Sequence, residues 1–168
     1  MELIFNRRSV RSYLDRPVEK EKIDKMIRAA MQAPSAKNQQ PWEFLVVEDK
    51  AMLEKISHVH PFAGCVADAP LAIVVLRNEE GLTMASKAPQ DLGACTQNIL
   101  LEAVSLELGA VWLGVYPDED RLSFLKNAFN LPENISVFSV VSIGYPKREG
   151  ANKFVDRYIE EKVHYETY

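Results

Sequence analysis

The chain has 168 residues, 47% hydrophobic and 26% charged, a length that suits one domain with a real core and a balance that excludes disorder. Its formal net charge is −4, so nothing global favours a nucleic-acid polyanion, and any anion site must come from a local concentration of positive charge. The N-terminal stretch runs into arginines without the apolar core of a signal peptide, and no apolar run nears the ~20 residues that span a bilayer; a soluble, cytoplasmic protein is expected, with no membrane and no nucleic-acid partner.

The first clear element runs from Glu19 to Ala33, where Ile23, Met26, Ile27, Ala30 and Met31 fall at i, i+3, i+4, i+7 and i+8 on one helical face. Lys20, Glu21, Lys25 and Arg28 cover the other face, and Pro34 stops it. Glu43 to Val47 reads as a short buried strand and Lys50 to Ser57 as a brief helix. Leu71-Ala72-Ile73-Val74-Val75-Leu76 is a continuous apolar run, the mark of a strand covered on both faces. Gln90 to Leu108 predicts a long helix opened by Pro89 and closed by Gly109 at its C′ position. Its apolar residues lie on nearly every side, so it belongs at the centre of a core or at a subunit interface.

Ala110 to Val115 then predicts a strand, Asp118 to Phe129 a helix, and Ile135 to Ile143 a long strand ended by Gly144-Tyr145-Pro146. Strands alternating with helices imply an α/β or α+β layered sheet covered by helices. The segment from about 147 to 168 is highly charged yet keeps Phe154, Val155, Tyr158, Ile159, Val163, Tyr165 and Tyr168. It has too little apolar surface to fold alone and enough to dock, with a partner subunit the economical candidate. Cys65 and Cys95 sit among small and apolar residues and read as buried thiols rather than a disulfide framework or metal site.

Three segments could carry chemistry. Arg7-Arg8-Ser9-Val10-Arg11 puts three guanidinium forks and a hydroxyl within five residues, donors suited to phosphate oxygens, although a solvated basic stretch has the same composition. Pro34-Ser35-Ala36-Lys37-Asn38-Gln39-Gln40-Pro41-Trp42 joins the first helix to a strand. Its amides match the alternating donors and acceptors of a flavin or pyrimidine edge, and its composition equally matches an ordinary turn. Gly114, inside Val111-Trp112-Leu113-Gly114-Val115, marks a bulge, a close backbone approach to a ligand, or simply the end of a strand.

Taken together, Arg-Arg-Ser-x-Arg followed by Pro-Ser-x-x-Asn-x-Gln-Pro-Trp resembles the nitroreductase family of FMN enzymes. The likeness continues through Ala69-Pro70, Gln90-Asp91, Gly109, Trp112-Leu113-Gly114, Ile143-Gly144-Tyr145-Pro146 and Val163-His164-Tyr165, over essentially the whole chain. It implies a single 1–168 domain with a mixed central sheet covered by helices, and a homodimer whose tails, from about 147 to 168, embrace the partner.

The resemblance also implies a site at the dimer interface. Arg7 and Ser9 would hold the FMN phosphate with Arg157, or secondly Lys153, and Arg8 would lie along the ribityl chain or phosphate. Arg11 matches the basic residue beside flavin N1 and O2. Pro34, Ser35, Ala36 and Asn38, with Gln40 close by, match the segment that reaches the flavin from the other subunit. Leu113 and Gly114 match the backbone near flavin N5. The implied reaction is ping-pong, from NADH or NADPH through N5 to a small oxidant such as a nitroaromatic or quinone, with no metal and no protein acid or base required. His58, His60 and His164 are candidate proton sources, although a histidine in a loop or tail is more often incidental, and Phe62 and Tyr116 are candidate pocket walls. The alternatives are a flavin reductase for another acceptor and a flavin carrier or regulatory protein with little turnover.

Overall fold

In the computed structural model, which describes residues 2–168, four strands form one sheet in the order β1-β2-β4-β3, with helices on both faces. The strands are β1 (Trp42–Val47), β2 (Leu71–Asn78), β3 (Gly109–Gly114) and β4 (Ile135–Gly144). The helices are α1 (Glu2–Asn6), α2 (Lys20–Ala30), α3 (Lys50–Ser57), α4 (Ala88–Ser105) and α5 (Glu119–Phe129). All three strand pairings are antiparallel; the parallel component is an isolated bridge between Ser9 and Ala110.

The apolar run at 71–76 is buried along its whole length, as expected of a central strand. Its side chains alternate between two cores. Leu71, Ile73 and Val75 join Ile23 and Met26 of α2 and Leu92, Ile99 and Ala103 of α4. Ala72, Val74 and Leu76 join Leu53 and Ile56 of α3 and Leu125 of α5. Each fully buried aliphatic chain contributes about 1.5–3 kcal/mol relative to exposure. Inside the first core, Thr96 Oγ1 donates to Leu92 O at 2.8 Å. That leaves the Ser139 hydroxyl to donate to Thr96 at 3.1 Å, which satisfies a polar pair under α4.

Several boundaries differ from the sequence expectation. Helix α2 ends at Ala30, and Met31, expected on its buried face, is 47% exposed. Strand β1 is an edge strand that leaves Glu43 and Val46 exposed. Helix α1 has no counterpart in the sequence reading. Cys95 is buried and its thiol is pushed up to about 12 by desolvation, whereas Cys65 is only half-buried.

The end of α4 is a correction with a clear cause. Glu107, at φ 64°, takes the left-handed C′ position. Leu108 N donates to Ala103 O at 2.8 Å and Glu107 N to Val104 O at 3.1 Å, the paired bonds of a Schellman motif. Gly109 instead opens β3, where an added Cβ would lie 2.6 Å from Val10 Cγ1. Its lack of a side chain admits the N-terminal segment to the sheet.

Strand β4 carries one bulge. Val75 pairs with Ser139 and Leu76 with Val137, so Phe138 is the extra residue. Bulges re-aim side chains, and here Phe138 lies between Trp112, at 5.8 Å between ring centroids, and Tyr116, at 6.1 Å and stacked. Among the described residues no helix is long and apolar enough to cross a membrane.

Candidate functional site

The N-terminal arginines are positioned by the sheet. Ser9 bridges Ala110 at the start of β3, and Val10 N donates to Ala110 O at 3.0 Å. Below them the buried Tyr13 hydroxyl donates to Val10 O at 2.6 Å and also lies 3.1 Å from Ser142 O; burial raises its pKa, so it stays a neutral donor.

The C-terminal segment closes over this strand. Arg8 N donates to Asn152 Oδ1 at 3.3 Å, while Asn152 Nδ2 donates to Leu108 O at 2.9 Å. The Arg8 side chain donates to Arg7 O at 2.5 Å and to Val155 O at 3.5 Å, and its buried Nε has no partner among the described residues. Arg8 is thus placed as a clasp between the first turn and the tail, with its buried Nε left unpartnered among the described residues.

The same tail carries Arg157 close enough for its charge to act on Arg7. The half-buried Arg7 has its pKa lowered by desolvation, then by the charge of Arg8, then by that of Arg157. Among the described side chains no carboxylate oxygen lies within 4.0 Å of Arg7, Arg8, Arg11, Lys153 or Arg157. Like charges gathered without a counter-ion among the described side chains leave a positive patch on an acidic protein, and such a patch suits a phosphoryl dianion. Ser9, exposed beside it, adds a hydroxyl. Lys153 is exposed on the tail.

Arg11 points its field elsewhere, toward Cys65 and Tyr13. It lines a cleft of about 620 Å³ with Tyr13, Lys50, Asp68, Ala69 and Lys147. Charges of both signs line this cleft, and it shares only Arg11 with the residues expected to hold the cofactor.

The 34–40 loop forms a second cluster. Ala36–Asn38 make one 3-10 turn, and Lys37, Asn38 and Gln40 all hold positive φ of 46–54°. For non-glycine residues that conformation costs about 1–2 kcal/mol each. The loop is tied down by Gln40 N donating to Ser35 Oγ at 3.1 Å, and by two bonds to Asp91 of α4. Ala36 N donates to Asp91 Oδ1 at 3.0 Å and Gln39 Nε2 to Asp91 Oδ2 at 2.7 Å. The exposed Gln40 Nε2 donates to Asn38 Oδ1 at 2.9 Å. Pro34 is exposed beside them, and Trp42 is core, 9% exposed.

A third cluster gathers where β3 ends. Leu113 is buried and Gly114 exposed, paired in regular register with Ser139, so Gly114 marks no bulge. An added Cβ on Gly114 would meet nothing within 4 Å. Arg121 of α5 donates to Gly114 O at 2.8 Å and pairs with Asp118 at 3.0 Å. His60 lies within this field, its pKa lowered by desolvation and then by Arg121. Phe62 is 82% exposed next to it, and Tyr116 is 41% exposed over Phe138.

The fold therefore brings Arg7, Arg8, Ser9 and Arg157 together at one end of β3, with Leu113 and Gly114 at the other. Among the described residues no hydrogen bond joins the 34–40 loop to either. Asp91 and Arg121 are residues that sequence reasoning did not single out for a site. The Gln90-Asp91 pair at the start of a long helix and the Asp118-x-x-Arg121 spacing after a strand are signals that could have found them.

With this geometry in view, comparison with known proteins gives a consistent answer. The chain belongs to the nitroreductase family, whose model matches residues 4–60 and 62–145. It is 45% identical, over 100% of this chain and 98% of the relative, to the "Putative NADH dehydrogenase/NAD(P)H nitroreductase" of Archaeoglobus fulgidus. Among solved structures it resembles the "Putative NADH Oxidase" of Clostridium acetobutylicum, with TM-score 0.96, 52% identity and 99% of both chains covered. The FMN-dependent nitroreductase of Clostridium difficile R20291 matches with TM-score 0.90 and 32% identity, over 99% of this chain and 98% of that one. The α+β fold expected from the sequence is thereby borne out.

Proposed function

We propose that this chain is an FMN-dependent oxidoreductase that carries electrons from NADH or NADPH to a small oxidant such as a nitroaromatic or quinone, and that it works as a homodimer. The observation that carries the proposal is the gathering of Arg7 and Arg8 within the field of Arg157 and beside the exposed hydroxyl of Ser9, with no carboxylate oxygen within 4.0 Å among the described side chains. A dianionic phosphate matches that set in charge and donor type. Membership of the nitroreductase family and likeness to an FMN-dependent member support the same ligand.

Bound FMN supplies the hydride chemistry, and the protein supplies binding, orientation and charge. In this reading Arg7, Ser9 and Arg157 hold the phosphate, with Lys153 as a secondary cation and Arg8 offering its Nε–H, unpaired among the described residues. Leu113 and Gly114 present backbone at the open end of β3, where Gly114 leaves room for a ring to approach. Pro34, Ser35, Ala36, Asn38 and Gln40 serve the flavin of the partner subunit, which agrees with their separation from the phosphate cluster within one chain. Arg11 lies apart from the phosphate cluster on the neighbouring cleft, and it would favour a reduced flavin only where the pyrimidine edge of the ring reached that cleft.

The test is a visible spectrum of the purified protein before and after anaerobic NADH and NADPH. Yellow protein bleached by either donor and recoloured by a quinone or nitroaromatic is expected. Failure to take up FMN would sink the proposal, and yellow protein that neither donor bleaches would leave only a flavin carrier.

A further inference from the structure

We propose that Asp91 is the positioning residue that holds the 34–40 loop in the conformation in which it serves the cofactor; this rests on the functional reading above. Asp91 is 6% exposed in the first turn of α4, whose other buried residues are uncharged. Both of its oxygens are taken by the loop, one by Ala36 N at 3.0 Å and the other by Gln39 Nε2 at 2.7 Å. No cation lies within ion-pair distance of it among the described side chains. A buried carboxylate is costly unless its hydrogen bonds are made. For packing α4 alone an aliphatic residue would serve better, so the charge is explained by what it holds.

What it holds is a segment that would not keep its shape unaided. Lys37, Asn38 and Gln40 are all left-handed without being glycine, and strain of this kind persists only where surrounding structure over-determines it. Gln39 extends the hold further: its Oε1 accepts Met84 N at 3.0 Å and its Nε2 lies 3.2 Å from Met84 O. The anchoring groups, Ala36 N and Gln39, alternate with the presenting ones. Ser35 is half-buried, while Asn38 and Gln40 are exposed and bonded to each other. This pairing leaves Asn38 Nδ2 and Gln40 Oε1 without partners among the described residues, one donor and one acceptor for a heterocycle edge. Asp91 touches none of that edge and acts through the loop.

The test compares full-length wild type, Asp91→Ala, Asp91→Asn and the swapped pair Asp91→Asn with Gln39→Glu. FMN affinity by fluorescence titration, the visible circular dichroism of bound flavin, and kcat and KM for NADH are read on each. Asp91→Ala is expected to weaken FMN binding tenfold or more and to reduce the flavin dichroic bands, with far-UV dichroism unchanged. Asp91→Asn sets an amide donor against the Gln39 donor and should also lose affinity. The swapped pair turns the Asp91 contact round, with the amide now on the helix donating to a carboxylate on the loop; it gives up the longer Gln39 Nε2 bond to Met84 O at 3.2 Å, so a partial recovery over Asp91→Asn alone is expected. A merely structural residue would show no such recovery of flavin dichroism. Should Asp91→Ala fail to fold, the Asp91→Asn and swapped variants decide. Asp91→Asn with affinity and dichroism within twofold of wild type overturns the inference, as does a swapped pair no better than Asp91→Asn. Wild type that binds no FMN would overturn the functional reading instead, which keeps the two failures apart.

Discussion

Arg7 stands in the field of two other guanidinium groups and is partly desolvated, so an anion that binds there replaces repulsion with charge-assisted hydrogen bonds. Each such bond contributes about 1.5–3 kcal/mol. Arg7→Ala should therefore weaken FMN binding by about ten- to a hundredfold, measured by equilibrium titration of the apoprotein. Affinity unchanged in that variant would displace the phosphate from this cluster. A second residue-scale consequence concerns acid stability. Tyr145 OH donates to Glu19 Oε2 at 2.6 Å, Lys22 Nζ donates to the same phenol oxygen at 3.0 Å, and Arg16 covers the ring at 3.8 Å. The Tyr145 hydrogen bond, followed by lesser contributions including Arg16, lowers Glu19 from 4.5 to about 2. A depressed carboxylate stabilises the fold fully above its unfolded pKa and loses that contribution as pH falls through its folded one. The stability gap between wild type and Tyr145→Phe should accordingly narrow as pH drops from about 4.5 to about 2, read from thermal midpoints. A gap that stayed constant over that range would remove Glu19 from the account.

At the scale of elements, the end of α4 offers a direct test of backbone conformation. Glu107 holds φ 64°, which costs about 1–2 kcal/mol for a side-chain-bearing residue. Glycine avoids that cost but loses more entropy on folding, about 0.5–1 kcal/mol. Glu107→Gly should therefore stabilise by about 0.5–1 kcal/mol, seen as a higher urea midpoint at unchanged m-value. Local pattern assigns the helix-ending role to Gly109, two residues on, because the contact that requires Gly109 is with Val10, about a hundred residues away in the chain. That pattern is general here. Elements whose apolar residues repeat over several turns, such as α2, or run unbroken, such as β2, are legible because burial imposes the period locally. Five-residue α1 is too short to show a period, and its Leu3, Ile4 and Phe5 are exposed. The bulge at Phe138 and the hold of Asp91 on the 34–40 loop depend on pairings between distant segments, which no local pattern records. The candidate site is legible as chemistry, since arginine, hydroxyl and amide groups are visible as residue types. The approach of Arg157 to Arg7 and the turning of Arg8 onto the tail follow from topology.

The whole molecule leaves an unusual amount of apolar surface uncovered at its two ends. Ile4, Phe5, Phe154, Tyr158 and Tyr165 are each more than half exposed, and the Phe5 and Phe154 rings meet edge to face at 6.0 Å. From Asn152 to Val155 the tail is tied to its own chain through Arg8; beyond that it carries one short 3-10 turn, Glu160–Lys162, and stays exposed. Contiguous apolar surface of this kind marks an interaction site, and in the homodimer proposed above the partner covers it. The same segment delivers Arg157 to Arg7, so subunit association and phosphate binding share one structural element, and by linkage each should strengthen the other. Deletion of residues 151–168 should thus have two effects together. The protein, 19.0 kDa per chain, should shift from dimer to monomer in sedimentation equilibrium, and it should lose most of its FMN. Adding FMN to dilute apoprotein of the full chain should move the equilibrium toward dimer. A full-length chain that sediments as a monomer with and without FMN would separate the tail from subunit contact and leave its exposed aromatics in need of another partner.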